Sequence, residues 1–234
     1  MTKHWFYLPI APPAGLTELD AENAHHAAQV LRLKPGHEIT LTDGMGGTFY
    51  SAIREISKKH CLVEVLESQQ QAVRPGRVAA MAVSPLKNMA RFEWFLEKAT
   101  ELGISEIFPV HCTHTVRANL RLDRCRSICI NAMLQSQQPW MPEVHRLQPL
   151  ENMLNANFRN RWIAHCAAGA KQSLNELVRK HDADALLMIG PEGDFSSDEI
   201  IAFVAADFLP VSLGDARLRT ETAAVVGASF LRLG

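Results

Sequence analysis

The sequence predicts a mixed α/β protein, α+β overall, in which a small β-barrel precedes a larger α/β domain. Short strands with frequent turns fill the first third of the chain, a pattern typical of small barrels. Strands and amphipathic helices then alternate over the rest of the chain, which indicates a largely parallel sheet. A polar stretch with proline and glycine at 68–76 separates the two patterns, and we place the domain boundary between residues 1–72 and 73–234.

Apolar patterning and turn residues define the elements of the first domain. The run 5–8 predicts a strand that ends at Pro9, and Asp20 is a favourable N-cap for a helix over 21–31. Turns rich in glycine or lysine then separate three further strands, predicted at 37–41, 48–56 and 61–66. This close spacing of short strands is what predicts the barrel.

In the second domain, helical periodicity alternates with buried runs. Phe92, Phe95 and Leu96 recur at helical spacing, and Ser196 with Glu199 predicts a capping box at a later helix start. The strands are predicted at 77–83, 104–110, 161–165, 185–189 and 209–213. The helices are predicted near 92–102 and at 120–138, 174–181, 200–206 and 222–231.

Composition narrows the class of protein. No apolar run approaches the roughly 20 residues of a membrane span. The five scattered cysteines lack C-x-x-C spacing, which argues against a disulfide frame or zinc knuckle and favours a reducing cytoplasm. The net charge is −1, yet residues 74–126 carry nine Lys or Arg against five acidic residues. If the protein binds RNA, it therefore does so through a local basic patch.

Two glycine-bearing loops near the C-terminus follow predicted strands. One is GPEGD at 190–194, and the other runs into RLRTET at 217–222. Ligands of open α/β sheets bind past the carboxyl ends of strands, so these loops predict two sides of one small-molecule site. Glycines around Glu192 let the backbone approach a ligand, although a plain turn before the capping box is the alternative. Neither G-x-G-x-x-G nor a phosphate-loop lysine is present, which disfavours dinucleotides and triphosphates.

Arg219 is the candidate functional side chain of the second loop. An arginine beside a helix N-terminus opposes the helix dipole, and Glu221 or a bound anion would relieve that repulsion. The alternative is that the loop only begins a helix, with Thr220 or Thr222 as its N-cap.

Basic residues elsewhere suggest contacts with phosphate groups. Arg32 and Lys34 are candidate RNA contacts. Adjacent histidines, as at His25 and the residue after it, are poor metal ligands on a helix, so one is expected to pack and the other to face solvent or RNA. A further candidate is a row of arginines at helical spacing, Arg117, Arg121 and Arg124. This basic stripe is either an RNA contact or an ordinary solvated helix face. No H-E-x-x-H or G-x-S-x-G motif predicts a metal site or a serine hydrolase.

Four segments together resemble one known family. They are IGPEGDFSSDEI, VSLGDARLRTETA, HHAAQVLRLKPGHEITLTDGMG and RFEWFLEKATELGISEIFPV, and they span nearly the whole chain. Taken in their order along the chain, they are similar to the bacterial RsmE-type 16S rRNA (uracil-N3) methyltransferases of the SPOUT superfamily. That resemblance implies a PUA-like RNA-binding barrel over 1–72 and a SPOUT α/β domain over 73–234 that ends in a trefoil knot.

The same resemblance implies the chemistry and its partners. It implies S-adenosylmethionine as methyl donor, no metal, 16S rRNA of the 30S subunit as substrate, and a cytoplasmic homodimer without membrane contact. The implied catalytic residues are Arg219 and Glu221. The implied cofactor contacts are Ile189, Gly190, Glu192, Gly193, Leu213, Gly214, Leu218, Thr220, Thr222 and Ala223. The implied RNA contacts are His25, Arg32, Lys34, Lys87, Arg91, Arg117 and Arg121.

One segment departs from the family pattern. Many members carry E-A-x-E-Q-[SC]-x-R where this chain has NAMLQSQQ at 131–138, so both glutamates and the arginine are missing. An RNA-binding or assembly factor that lost catalysis is therefore one alternative, although the intact RLRTETA argues against it. A small-molecule α/β enzyme without RNA affinity is another.

Overall fold

The computed structural model describes residues 4–116 and 119–233, and the chain folds into two compact units. The first unit comprises residues 1–75 together with Met133–Met141. The second unit comprises 76–132 and 142–234. The predicted mixed α/β class is confirmed, and the first unit is discontinuous in sequence, which no pattern predicts.

A five-stranded sheet forms the first unit. Its strands are β1 (His4–Tyr7), β2 (Gly15–Glu18), β3 (Glu38–Thr42), β4 (Gly47–Ile56) and β5 (Cys61–Gln70). They lie in the order β1-β3-β4-β5-β2, in which β1 pairs parallel with β3 and the other pairs are antiparallel. The sequence did not predict β2 because it follows a proline-rich segment. As an edge strand it tolerates such neighbours.

The helix of the first unit begins as predicted and changes type midway. The Asp20 carboxylate accepts a hydrogen bond from the Asn23 N–H at 2.8 Å, which confirms the predicted N-cap of α1 (Ala21–His25). A π-helix, His26–Val30, follows directly. Arg32 then adopts φ 53° and ends the helical segment. Apolar spacing does not distinguish α from π turns, so the predicted single helix over 21–31 was wrong in this detail.

The segment Met133–Met141 packs within the first unit through Trp140. The Trp140 indole N–H donates to the Gln71 side chain at 2.8 Å, and the Arg74 guanidinium lies 5.5 Å from the ring centroid. A Cβ at Gly46 would collide with the indole, so only glycine fits there. Residues far apart in sequence thus complete one packed cluster.

The second unit is built on a parallel sheet of eight strands. The strands are β6 (Ala79–Val83), β7 (Glu106–His111), β8 (Glu143–Val144), β9 (Gln148–Pro149), β10 (Asn160–Ala164), β11 (Gln172–Ser173), β12 (Ala185–Ile189) and β13 (Leu209–Ser212). Their order is β11-β13-β10-β12-β6-β7-β8, with β9 paired to β7. Every pair is parallel, which confirms the sheet predicted from the alternation of strands and helices.

Helices cover both faces of this sheet. They are α2 (Met89–Glu101), α3 (Leu122–Gln135), a 3₁₀ helix (Leu150–Asn155), α4 (Leu174–Lys180), α5 (Ser197–Ala205) and α6 (Thr220–Leu233). On one face, Phe203 of α5 packs with Ile163 and Met188. On the other face α6 packs against α2 and against β6 and β12, where a Cβ at Gly227 would collide with Leu187. Within the described ranges, no helix has the length and apolarity needed to span a bilayer.

Candidate functional site

The parallel strands of the second unit end at one edge of the sheet, where five loops meet. These loops follow β6, β7, β10, β12 and β13, and they cover residues 84–88, 112–116, 165–171, 190–196 and 213–219. Because β10 lies between β12 and β13, its loop separates the two loops that the sequence predicts as one site. A third loop therefore belongs to the candidate site.

The loop 190–196 is held by hydrogen bonds to three neighbouring loops. Asp194 Oδ2 accepts the Cys166 N–H at 2.6 Å, which links it to the β10 loop. The Asp194 carbonyl oxygen lies 3.0 Å from His114 Nδ1 in the β7 loop. Glu192 Oε1 accepts the Lys87 N–H at 2.9 Å, which links it to the β6 loop. The two acidic residues thus fix the loop from both sides.

Both glycines of GPEG are required by close packing. A Cβ at Gly193 would lie 3.0 Å from the His114 Cβ, and a Cβ at Gly190 would lie 3.1 Å from the Phe195 ring. These separations are tighter than ordinary van der Waals contacts. Gly193 therefore lets the β7 loop approach, and Gly190 lets Phe195 of its own loop fold back against the backbone. The sequence does not separate either role from approach to a ligand.

Glu199 joins α5 to the β7 loop. Ser196 and Glu199 form the predicted capping box, and Glu199 Oε1 also accepts the Thr113 N–H at 2.7 Å. Burial alone would raise the pKa of Glu199, but the hydrogen bonds from Thr113 and Ser196 lower it below its ordinary value. The carboxylate is thus ionised at neutral pH, and its negative charge suits the N-terminus of α5.

The loop 213–219 is open by comparison. Gly214 has φ 131°, a conformation that favours glycine, and a Cβ built there would meet no atom within 4 Å. The loop's hydrogen bonds in the described chain are with the Ser212 side chain and, through the Arg219 carbonyl, with the first turn of α6. Open space beside this backbone leaves room for a ligand to approach closely.

The start of α6 carries the two predicted catalytic residues in contrasting environments. Arg219 is exposed, whereas Glu221 is only 9% exposed. Glu221 Oε1 lies 3.3 Å from Arg91 Nη1, so its ionic partner is Arg91 rather than Arg219 as the sequence suggested. Glu221 Oε2 is buried and has no hydrogen-bond partner among the described residues. Such a buried acceptor is costly unless another group satisfies it.

The predicted cofactor contacts fall at the ends of β12 and β13 and in the first turn of α6. Three are buried: Ile189, Gly190 and Thr220. Leu213, Leu218 and Ala223 are partly buried, and Glu192, Gly193, Gly214 and Thr222 are exposed. Backbone and apolar groups thus alternate with polar ones along the same sheet edge, the arrangement that small-molecule sites use.

The predicted RNA contacts are mostly exposed. These are His25, Arg32 and Lys34 in the first unit, and Lys87 and Arg121 in the second. Arg117 lies outside the described residues. The predicted stripe is not a helix face, because α3 begins only at Leu122. Arg124 is paired with Glu93 at 2.9 Å, and this hydrogen bond lowers the pKa of Glu93.

His165 is a site residue that sequence reasoning missed. It follows β10, and both ring nitrogens are buried without a hydrogen-bond partner in the part of the chain described. Burial and the nearby Lys171 charge lower the pKa of His165, so the imidazole is neutral at pH 7. Its position as the last residue of the predicted strand 161–165 was the available signal, but nothing in the sequence placed that strand between the other two.

One cluster of metal-ligand type lies away from this edge. Donor atoms of Glu106, Glu143 and His145 lie within 4.8 Å of one another, near the start of β7. His145 Nε2 is already 3.1 Å from Glu106, and its ring stacks on Phe108 at 4.0 Å. The three side chains satisfy one another as a partly exposed ionic group.

A parallel α/β sheet with ligand loops at its carboxyl edge defines a class of small-molecule-dependent enzymes. Within that class, the chain belongs to the RNA methyltransferase family, whose domain matches residues 75–232. Residues 19–66 match the RNA methyltransferase PUA domain.

Relatives and solved structures agree with this assignment. Ribosomal RNA small subunit methyltransferase E from Mycobacterium bovis is 28% identical over 233 residues, covering 94% of this chain and 88% of that protein. A probable rRNA methyltransferase from Porphyromonas gingivalis has 32% identity and a TM-score of 0.87, with 98% of each chain covered. A ribosomal RNA small subunit methyltransferase E from Neisseria gonorrhoeae, bound to S-adenosylmethionine, has 26% identity and a TM-score of 0.87, with 99% of this chain and 98% of that chain covered.

Proposed function

We propose that the protein transfers a methyl group from S-adenosylmethionine to N3 of a uracil in 16S rRNA of the small ribosomal subunit. Family membership and the names of its relatives support rRNA as the substrate class. Structures of relatives from Neisseria gonorrhoeae and Legionella pneumophila contain S-adenosylmethionine. The observation that carries the proposal is at the start of α6, where the buried Glu221 carboxylate has one oxygen without a partner among residues 4–116 and 119–233 and lies two residues from the exposed Arg219.

The residues at the sheet edge fit the methyl donor. Open space beside Gly214 accommodates a ligand against the backbone, and the partly buried Leu213 and Leu218 offer apolar surface. We assign its binding to the loops at 189–193 and 213–214 and to the first turn of α6, with the β10 loop between them. When bound, S-adenosylmethionine supplies an electrophilic methyl group.

The protein's own part in the reaction is positioning and proton transfer. Uracil N3 must lose its proton before the nitrogen can form a bond to carbon, and the Glu221 carboxylate accepts that proton. Arg219 lies two residues earlier and faces solvent, where its charge favours the anionic base as negative charge develops on the carbonyl oxygens. The target uridine must be unpaired or flipped to reach these groups.

The remaining structural proposals follow from the family resemblance. We propose that residues 1–72 close into a PUA-like barrel that holds rRNA, and that the SPOUT domain over 73–234 contains a trefoil knot. We further propose a cytoplasmic homodimer. His25, Arg32 and Lys34 are exposed on the first unit, as an RNA contact requires.

Methyl transfer to purified small subunits tests the proposal. With labelled S-adenosylmethionine and subunits from a strain lacking the enzyme, we expect label in 16S rRNA and 3-methyluridine by nucleoside mass spectrometry. The altered segment at 131–138 favours one rival, a factor that binds rRNA without catalysis. Isothermal titration separates the methyltransferase from this non-catalytic factor. The factor would release no heat with S-adenosylmethionine, and S-adenosylhomocysteine, the demethylated product, would not compete.

A further inference from the structure

Glu221 is a buried carboxylate with a single charged partner in the described chain. Arg91 Nη1 lies 3.3 Å from Glu221 Oε1, while no donor among the described residues reaches the other oxygen, Oε2. Burial of a carboxylate is unfavourable unless a positive charge compensates it. The Arg91 guanidinium supplies that charge and occupies only one of the two oxygens.

The place of Arg91 in its own helix is unfavourable without this partner. Asn88 caps α2, and its side chain accepts the Ala90 N–H at 3.0 Å, so Arg91 lies in the first turn. A cation there opposes the helix dipole, whereas Glu221 in the first turn of α6 is favoured by it. The pair therefore puts each charge where the other compensates it.

Contacts with two other elements fix the position of the start of α2, which carries Arg91. Helix α2 packs against α6, which carries Glu221. The Lys87 N–H, just before α2, is bonded to Glu192 of the cofactor loop. The start of α2 is thus held to both parts of the candidate site.

We propose that Arg91 is a positioning residue that acts through Glu221 rather than an RNA contact. By taking Oε1, Arg91 leaves Oε2 as the acceptor for the N3–H of the target uracil, and the proton passes from N3 to Oε2. The N3 electron pair is then free to form the new bond to the methyl carbon; the methyl–sulfur bond of bound S-adenosylmethionine would break with its electrons going to sulfur, and S-adenosylhomocysteine would be the leaving group. This inference rests on the proposed function and assigns a residue to its proton-transfer step.

Steady-state kinetics of Arg91→Gln and Arg91→Lys test the proposal. We expect Arg91→Gln to lower kcat by about 30- to 100-fold, the scale of a mispositioned general base, with KM for RNA changed less than about threefold. Arg91→Lys restores part of kcat because it keeps the charge. Binding of S-adenosylmethionine, measured by titration, stays unchanged. Arg126→Gln is the matched control, because Arg126 is an exposed arginine on α3 and belongs to no part of the site.

A double variant distinguishes action through Glu221 from an independent role of Arg91, such as a phosphate contact. If Arg91 acts through Glu221, the variant with both Arg91→Gln and Glu221→Gln is no slower than Glu221→Gln alone. Multiplicative losses, or a raised KM with unchanged kcat and a shallower salt dependence, overturn the proposal in favour of a phosphate contact. Absence of wild-type turnover overturns the proposed function and this inference together. Wild-type kcat in Arg91→Gln overturns only the inference.

Discussion

The loops after β12 and β13 belong to the same candidate site but are held in opposite ways. The first is bonded through Glu192 and Asp194 to three neighbouring loops, and its glycines fit against adjacent side chains. The second is exposed over 214–217, and its described hydrogen bonds reach only Ser212 and α6. One side of the candidate site is therefore fixed by contacts with neighbouring loops, whereas the other side is open.

The strongest test of this contrast is Arg219→Ala in the open loop. The Arg219 side chain is exposed and makes no hydrogen bond or ion pair within the described chain, so we expect unchanged thermal stability. Activity should fall by about 100- to 1,000-fold, the usual cost of removing one electrostatic stabiliser of a transition state. Methyl-transfer assays and a melting curve measure the two effects. Turnover like that of the wild type would defeat the catalytic assignment.

Limited trypsin digestion tests whether S-adenosylmethionine orders the open loop 213–219. Arg217 is exposed there, so cleavage after it should be fast in the free protein. S-adenosylmethionine at about 100 times its Kd stabilises the bound state by about 2.7 kcal/mol and should slow this cleavage by up to about 100-fold. Cleavage after the exposed Arg126 on α3 serves as the internal control. Equal protection of both sites would mean a global effect and not a local one.

Substitution of one aspartate in each loop compares their contributions to stability. Asp194→Ala removes hydrogen bonds to Cys166 and Phe195 at a position with φ 64°, so it should cost about 2 kcal/mol of unfolding free energy. Asp215→Ala, in the exposed loop, should change it by less than about 0.5 kcal/mol. Urea unfolding of both variants measures these changes in unfolding free energy. Similar losses would remove the distinction between the loops.

The smallest expected effect is the pH dependence of the contribution that Glu199 makes to the free energy of unfolding. The pKa of Glu199 is lower in the folded protein than its ordinary value of about 4.5, so its stabilisation is present above that pH. It is lost as pH falls through the lower, folded value. We therefore expect Glu199→Gln to cost about 1 kcal/mol at neutral pH and progressively less in acid. Urea unfolding curves of the wild type and of Glu199→Gln, recorded at neutral and at acidic pH, measure the loss of unfolding free energy at each pH. A loss that grows in acid would contradict the lowered pKa of Glu199.

Local signals in the sequence predicted local structure well. Buried runs such as 185–189 gave the strands, and side-chain chemistry gave the Asp20 cap and the Ser196–Glu199 capping box. Strand order in the sheet is a tertiary property, so the position of β10 between β12 and β13 had no counterpart in periodicity. The sequence also placed Glu221 with its near neighbour Arg219. Folding instead pairs it with Arg91, which is remote in sequence.

The discontinuous first unit has a practical consequence for protein production. A single cut at 72/73 would leave Met133–Met141 on the C-terminal fragment, with the Trp140 indole deprived of Gln71 and of Gly46. That fragment would expose more of the Trp140 indole, an added apolar surface that favours self-association. Either half made alone is therefore expected to be less soluble than the intact chain, and co-expression of both halves should recover the missing contacts.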